Sequence, residues 1–305
     1  MLKKLLRKFA RFIGFVIQRF NREAEDPKLL ALGAMLSKQQ TMMNSKNIQD
    51  YEFKIFSQWG DDGIIQYLIK NITIENEFFI EFGVEDYLES NTRFLMMHNN
   101  WSGFVMDGSS EHINGLRKRS WYWKYDLNSK AVFIDRENIN SLLSEIGCSN
   151  IGLLHIDIDG NDYHILEEID LSKLNPSIII MEYNSVFGKD RAISVPYRKD
   201  FVRGKAHYSH LYFGASLKAL NLLAVKKGYA LVGCNLAGNN AYFVRRDLLN
   251  EQVTEISVDE AYVESKFRES RDTNFNLSYL NGNKRIEIMK GLDVLNVETN
   301  QIEKL

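Results

Sequence analysis

Three apolar runs in the chain end in carboxylates. Phe79-Ile80-Glu81-Phe82-Gly83-Val84-Glu85-Asp86 puts acids and a glycine at the end of one run, Ile156-Asp157-Ile158-Asp159-Gly160-Asn161-Asp162 follows a second, and Met181-Glu182-Tyr183-Asn184 closes a third. Ligands of open α/β sheets bind outside the carboxyl ends of the strands, so these acids should face one crevice. A dinucleotide pyrophosphate wants three glycines and no nearby acids, whereas this turn has Gly83 alone among Glu81, Glu85 and Asp86. An acidic turn suits a cation, such as the sulfonium and ammonium of S-adenosylmethionine. Asp107 follows the run Gly103–Met106, twenty-four positions after Gly83. That is the spacing of an acid that accepts hydrogen bonds from ribose hydroxyls.

The second and third acidic centres allow two chemistries. Asp157, Glu182 and Asn184, with Asp159, could supply oxygen ligands to a hard divalent cation such as magnesium or manganese. Alternatively, Asp157 or Asp159 could take the proton of an acceptor hydroxyl. Sequence does not separate the two. A calcium loop is excluded, because the glycine comes two positions early. Asp162 reads as the cap of a following helix. His155, inside an apolar run, reads as structural, while His210 in a polar loop remains a candidate base.

These residues need a sheet to hold them. Short runs rich in β-branched and aromatic residues at Phe78–Phe82, Gly103–Met106, Ile151–Ile156, Ser177–Met181, Ala230–Val232 and Ala241–Val244 predict strands. Helical periods fall between them, at Gly63–Asn71, Asn91–His98, Asn138–Ile146, Tyr163–Ile169 and Ala215–Lys227. The alternation predicts βαβ units around a mostly parallel sheet, and the turn-rich Asn235–Asn240 predicts an antiparallel hairpin closing it. The expected division is a basic helix and linker over residues 1–50, the α/β domain over 51–249 and a C-terminal extension or cap over 250–305.

Of the 38 Lys and Arg residues, seven fall in Met1–Arg22, which holds none of the 40 acids. The rest of the chain is therefore acidic, which disfavours nucleic acid as a partner. In the same segment Leu2, Leu5, Leu6, Phe9, Ile13, Val16 and Phe20 recur at three- and four-residue steps. Its uncharged run is too short to span a bilayer. Such a helix either lies in the interface of an anionic leaflet or packs on its own domain or a partner. Two cysteines provide no disulfide framework, which fits a cytoplasmic protein peripheral, at most, to the inner membrane.

Ser57-Gln58-Trp59-Gly60-Asp61-Asp62-Gly63, Glu81-Phe82-Gly83-Val84 with Asn91-Thr92, and Asp157-Ile158-Asp159-Gly160-Asn161-Asp162-Tyr163 together resemble the FkbM-type family of S-adenosylmethionine-dependent methyltransferases. Glu182-Tyr183-Asn184, Tyr212-Phe213-Gly214-Ala215-Ser216-Leu217 and Gly233-Cys234-Asn235 extend the resemblance over about Phe56 to Asp247. Lys266-Phe267-Arg268-Glu269-Ser270-Arg271-Asp272 resembles the end of a bacterial surface-polysaccharide subgroup. The resemblance implies an α/β, doubly wound, seven-stranded class I methyltransferase sheet. It also implies methyl transfer, usually to oxygen, in natural-product or cell-surface glycan synthesis. On the matching positions, Glu81 and Gly83 would line the methionine part of the cofactor, Asp107 the ribose and Asp126 the adenine, with Gln58 and Asn91 supporting the pocket. Asp62 stands where that family's loop is expected to carry glutamate. A sugar or lipid-linked glycan acceptor would be gripped by Trp59, Tyr183, Tyr197, Arg203 and Tyr212. The rival readings are a noncatalytic scaffold in a glycan-assembly complex and a nicotinamide-dependent oxidoreductase.

Overall fold

In the computed structural model, which describes residues 25–305, the apolar runs become the interior of one seven-stranded sheet. Its strands are β1 (Asn76–Phe82), β2 (Ser102–Asp107), β3 (Leu127–Ala131), β4 (Ile151–Ile156), β5 (Ile178–Glu182), β7 (Tyr229–Cys234) and β8 (Asn240–Arg245), in the order β3-β2-β1-β4-β5-β8-β7. The first five are parallel. β8 inserts between β5 and β7, antiparallel to both, so the expected terminal hairpin does close the sheet. The fold is thus α/β, doubly wound, with the class I methyltransferase strand order.

Both faces of the sheet are buried, which is why the central strands read as continuous apolar runs rather than alternating ones. In β5, Ile179 and Met181 pack with the helices Ile139–Ile146, Asp162–Glu168 and Leu217–Lys226. Ile178 and Ile180 pack on the other side with the helices Asp61–Asn71, Arg93–Asn99 and Ser110–Arg117. The expected strands and helices recur within two residues of their bounds. One sheet strand, β3, was not among them: Leu-Asn-Ser-Lys-Ala has no apolar run because it is an edge strand, where lysine discourages further pairing.

The flanking segments join the body more closely than the expected division implied. A helix over 25–39 packs on it, with Gln40 Nε2 donating to the carbonyls of Tyr51 at 2.7 Å and Gly63 at 2.9 Å, so residues 25–50 form no free linker. The basic segment Met1–Arg22 lies outside the described residues. A second, three-stranded sheet pairs β6 (Ile193–Ser194) with β9 (Asp293–Asn296) and β9 with β10 (Gln301–Lys304), knitting the extension into the domain. No helix among the described residues is long and apolar enough to cross a membrane.

Candidate active site

The sheet order reverses between β1 and β4, and a cavity of about 650 Å³ opens beyond their carboxyl ends. Gly83 leaves β1 at φ +73°, and a Cβ there would stand 1.6 Å from the carbonyl oxygen of Asp157 at the tip of β4. The two strand tips meet backbone to backbone, which only glycine permits.

Glu81 lines this cavity, but its carboxylate is already spoken for. Oε1 accepts from Asn91 N at 3.1 Å and lies 2.9 Å from His155 Nδ1. Oε2 accepts from Ser90 Oγ at 2.6 Å and from the Thr92 hydroxyl. Burial alone would raise Glu81, but the bonds from His155, Ser90 and Thr92 outweigh it and hold the carboxyl below its usual value. His155 Nε2 faces the Asn91 side-chain amide at 3.3 Å. His155 is therefore structural, as its apolar strand suggested, and Glu81 fixes the loop around Asn91 more than it offers oxygen to a ligand.

Asp107 ends β2 in the cavity wall. Its Oδ2 accepts from Glu85 N at 2.8 Å and Oδ1 from Ser109 N at 2.7 Å, with His112 Nδ1 at 3.2 Å. A carboxylate has about four lone-pair sites, so these bonds aim the group and leave capacity for a diol. Asp126 is a correction: it precedes β3, its carbonyl accepts from Gly103 N at 3.0 Å, and it lies exposed at the opposite end of the sheet. The residues that leave β3 on the cavity side are Val132, Phe133 and Ile134, an apolar wall beside Asp107.

Gln58 reaches the cavity from the loop before the helix Asp61–Asn71. Asp62 organises that loop: its Oδ2 accepts from the backbone N–H of Ile55, Phe56 and Ser57 at 2.7, 2.7 and 2.9 Å and from Ser57 Oγ at 2.9 Å. Aspartate thus has the reach the local turn needs. Asp62→Ala would leave three backbone donors without a partner and should cost about 3 kcal/mol or more, read from the urea midpoint. An unchanged midpoint would remove this role.

Across the cavity, Asp157, Asp159 and Glu182 bring carboxylate oxygens within 4.8 Å of one another. Burial, then the Asp159 charge, pushes Asp157 up to about 7. Burial followed by Asp157 and Asp159 pushes Glu182 well above the usual carboxylate range, and its Oε2 is buried without a hydrogen-bond partner. Asp159, at φ +58°, is gripped by Arg203 Nη1 at 2.7 Å. Arg203 also donates from Nε to the His210 carbonyl at 2.7 Å and lies 3.8 Å over the Phe213 ring. His210 itself lines the cavity, and burial keeps its imidazole below its usual value.

Several candidates prove to be committed elsewhere. Asn184 Nδ2 donates to the carbonyls of Leu211 at 2.8 Å and Phe213 at 2.9 Å, and its Oδ1 caps a 3₁₀ turn, which removes it from the metal set. The Tyr183 hydroxyl donates to Val263 O at 2.6 Å, that of Tyr212 to Asp293 O, and that of Tyr197 to Glu137. These three tyrosines hold the surrounding structure and do not line the cavity. Trp59 stacks on Phe267 of the extension. The cavity instead gains Phe201, Asn239, Asn240 and Glu269. Of these only Glu269 left a signal in the sequence, inside the stretch Lys266–Asp272.

The model of the methyltransferase FkbM domain matches residues 91–211, less than half of the chain but spanning Asp107, Asp157, Glu182 and Arg203. The sheet order is that of the class I methyltransferase fold, and the match over this part of the chain is to a methyltransferase domain. No curated protein matches. Among solved structures, the O-methyltransferase from Bacillus cereus in complex with SAH is 12% identical, with 71% of this chain and 89% of that one covered and a TM-score of 0.41. The N-terminal domain of EvdMO1 with SAH bound is 10% identical, with 62% and 80% covered and a TM-score of 0.39. TrmK of M. capricolum in complex with SAH is 13% identical, with 64% and 73% covered and a TM-score of 0.37.

Proposed function

We propose that the protein is an S-adenosylmethionine-dependent O-methyltransferase acting on a sugar hydroxyl during synthesis of bacterial cell-surface polysaccharide, O-antigen or capsule. The observation that carries the cofactor reading is the cavity at the strand-order reversal, floored by Gly83 against Asp157 and walled by Glu85, Asp107, Asp157, Asp159 and Glu182. That excess of carboxylate attracts a sulfonium and an ammonium and repels phosphate. In this reading Asp107 would accept from the ribose diol, and the adjacent apolar wall Val132–Ile134, in place of Asp126, would face the adenine.

The sugar reading rests on the room left over and on what lines it. A cavity of about 650 Å³ is large enough for a nucleoside cofactor and a sugar unit together. Arg203, His210 and Glu269 supply polar groups for an acceptor rich in hydroxyls. Glu269 belongs to the stretch that resembles the polysaccharide subgroup.

In the reaction the acceptor oxygen attacks the sulfonium methyl in line. The new O–CH₃ bond forms as the S–CH₃ bond breaks, the bond pair stays on sulfur as a neutral thioether, and the hydroxyl proton passes to the Asp157 carboxylate. A group titrating at about 7 is well matched to that task near neutrality. Most of the acceleration would come from alignment, since the donor is already activated. Asp157, Asp159 and Glu182 also form a donor set that fits magnesium or manganese. Such an ion would lower the pKa of the acceptor hydroxyl.

The reading is tested by calorimetric titration of the protein with S-adenosylhomocysteine and, separately, NADH. Binding in the micromolar range should weaken about thirtyfold or more in Asp107→Ala, because hydrogen bonds to a charged group are each worth about 1.5–3 kcal/mol. Binding of NADH and not S-adenosylhomocysteine would transfer the case to an oxidoreductase. Binding followed by no turnover on any sugar acceptor, with or without magnesium, would favour the scaffold.

A further inference from the structure

Two buried oxygens in the cavity wall have no donor. Glu182 ends β5 and Asn240 opens β8, and the two stand opposite each other in the sheet. Both line the cavity, Glu182 at 8% exposure and Asn240 at 4%. Among the described residues, Glu182 Oε2 and Asn240 Oδ1 find no hydrogen-bond partner. The orientation of the Asn240 amide is set by its neighbour. Asn240 Nδ2 donates to Asp61 Oδ1 at 2.9 Å, and Asn235 Nδ2 and the Tyr242 hydroxyl donate to that same oxygen. An oxygen on which three donors converge can only accept, so the amide nitrogen faces Asp61 and the amide oxygen faces away from it. A buried acceptor left unpaired is costly, and two of them side by side imply a ligand that brings donors.

The cofactor does not reach this end of the cavity. Asp107 ends β2, and β1 and β4 lie between β2 and β5. With about 4.8 Å between neighbouring strands, β5 stands roughly 14 Å and β8 roughly 19 Å from β2. The sulfonium of a nucleoside held at Asp107 is one methylene beyond the ribose ring and belongs over β1 and β4. The β5–β8 end is left to the acceptor.

Charge gives the class of donor. Asp157, Asp159 and Glu182 bring carboxylate oxygens within 4.8 Å of one another, and Glu269 borders a small hollow shared with Glu182 and Arg203. Arg203 is spent on Asp159 and the His210 carbonyl, while Arg271 Nη2 approaches Glu269 only to 3.6 Å. An ammonium supplies donors to both unpaired oxygens and relieves the crowding of like charge beside them, which a neutral hydroxyl does not.

We infer that the β5–β8 end of the cavity, between Glu182 and Asn240 Oδ1, is a subsite for the ammonium group of an amino-sugar acceptor. The inference rests on the methyltransferase reading above and narrows its acceptor. Neighbouring substituents of one sugar ring would then meet Glu182 and Asp157 together, the amine at the first and the hydroxyl to be methylated at the second.

The protein is titrated by ligand-observed NMR near neutral pH in magnesium-free buffer, with and without S-adenosylhomocysteine. The probes are glucosamine, galactosamine and mannosamine, each beside its N-acetyl form and its parent hexose. At least one free amine should bind about tenfold or more tighter than both of its neutral counterparts, the scale of a hydrogen bond to a charged group. Glu182→Gln should abolish that preference and Asn240→Ala should reduce it, with S-adenosylhomocysteine binding retained as the report of an intact fold. A panel in which no amine is preferred, or a preference that survives Glu182→Gln, would overturn the subsite. Loss of the preference on adding magnesium would assign the acids to the metal ion and overturn it as well. Amine preference without S-adenosylhomocysteine binding would sink the function proposed above and leave the subsite standing, and the opposite pair of results would do the reverse.

Discussion

Gly83→Ala is expected to lower affinity for S-adenosylhomocysteine by at least about a thousandfold, more than 4 kcal/mol, and to lower the thermal midpoint as well. Two costs combine at this position. The φ of +73° is uncomfortable for any residue with a Cβ, at about 1–2 kcal/mol. The larger cost is steric, because a Cβ 1.6 Å from Asp157 O must move the tip of β4 or of β1 by more than an ångström. Neither tip can yield freely, since Phe82 and Ile156 are paired in the centre of the sheet and fully buried on both sides. The displacement therefore falls on the floor of the cavity. Gly228→Ala is the control: φ is +91° there, with nothing within 4 Å of the added Cβ. It should share the backbone penalty and keep the affinity. Equal binding by Gly83→Ala and the wild type would refute the assignment of this floor to the cofactor.

The second large effect is on turnover. Asp157→Asn should reduce kcat by roughly 10²–10⁴-fold, the usual contribution of a general base, while binding of S-adenosylhomocysteine changes little. The pH dependence carries the more specific information. A base must be unprotonated to accept the hydroxyl proton, so the wild-type rate should rise with pH through about 7 and level off above it. The cause is burial and the neighbouring charge of Asp159, which both disfavour the Asp157 carboxylate. The variant should lack that limb. A variant that keeps the same limb would move the base to another group, Asp159 or His210.

How much of this could be read from sequence varies by element. β1, β2, β4, β5, β7 and β8 were legible because strands buried on both faces must be apolar along their length, and the helices between them carry a single apolar stripe. β3 was not legible, and that omission displaced a site residue. Asp126 came to the adenine side from the resemblance alone, and with Leu127–Ala131 unrecognised as a strand nothing showed that it precedes that strand and does not follow it. In a parallel sheet, that difference is the full length of the strand. β6, β9 and β10 were invisible for another reason: strands of two to four residues leave no periodicity to detect, and β6 finds its partner β9 only across about a hundred positions.

The carboxylates at strand ends follow directly from sequence, because an apolar run that stops in an acid has only one place to stop: where the sheet meets solvent. Gly83, Asp107, Asp157, Asp159 and Glu182 were legible on that ground, and the cavity gathers all five. Which side chains were free to act was decided only in three dimensions. Glu81 is consumed by Ser90, Thr92 and His155, Asn184 by the carbonyls of Leu211 and Phe213, and the hydroxyls of Tyr183 and Tyr212 by backbone from the extension. Conversely, Arg203 reaches Asp159 across 44 positions, and Glu269 arrives from a stretch beyond the sheet. Burial of an apolar residue is written in the local pattern because it depends on periodicity. The commitment of a polar side chain depends on which distant donor or acceptor the fold brings within 3 Å, and no local pattern encodes that.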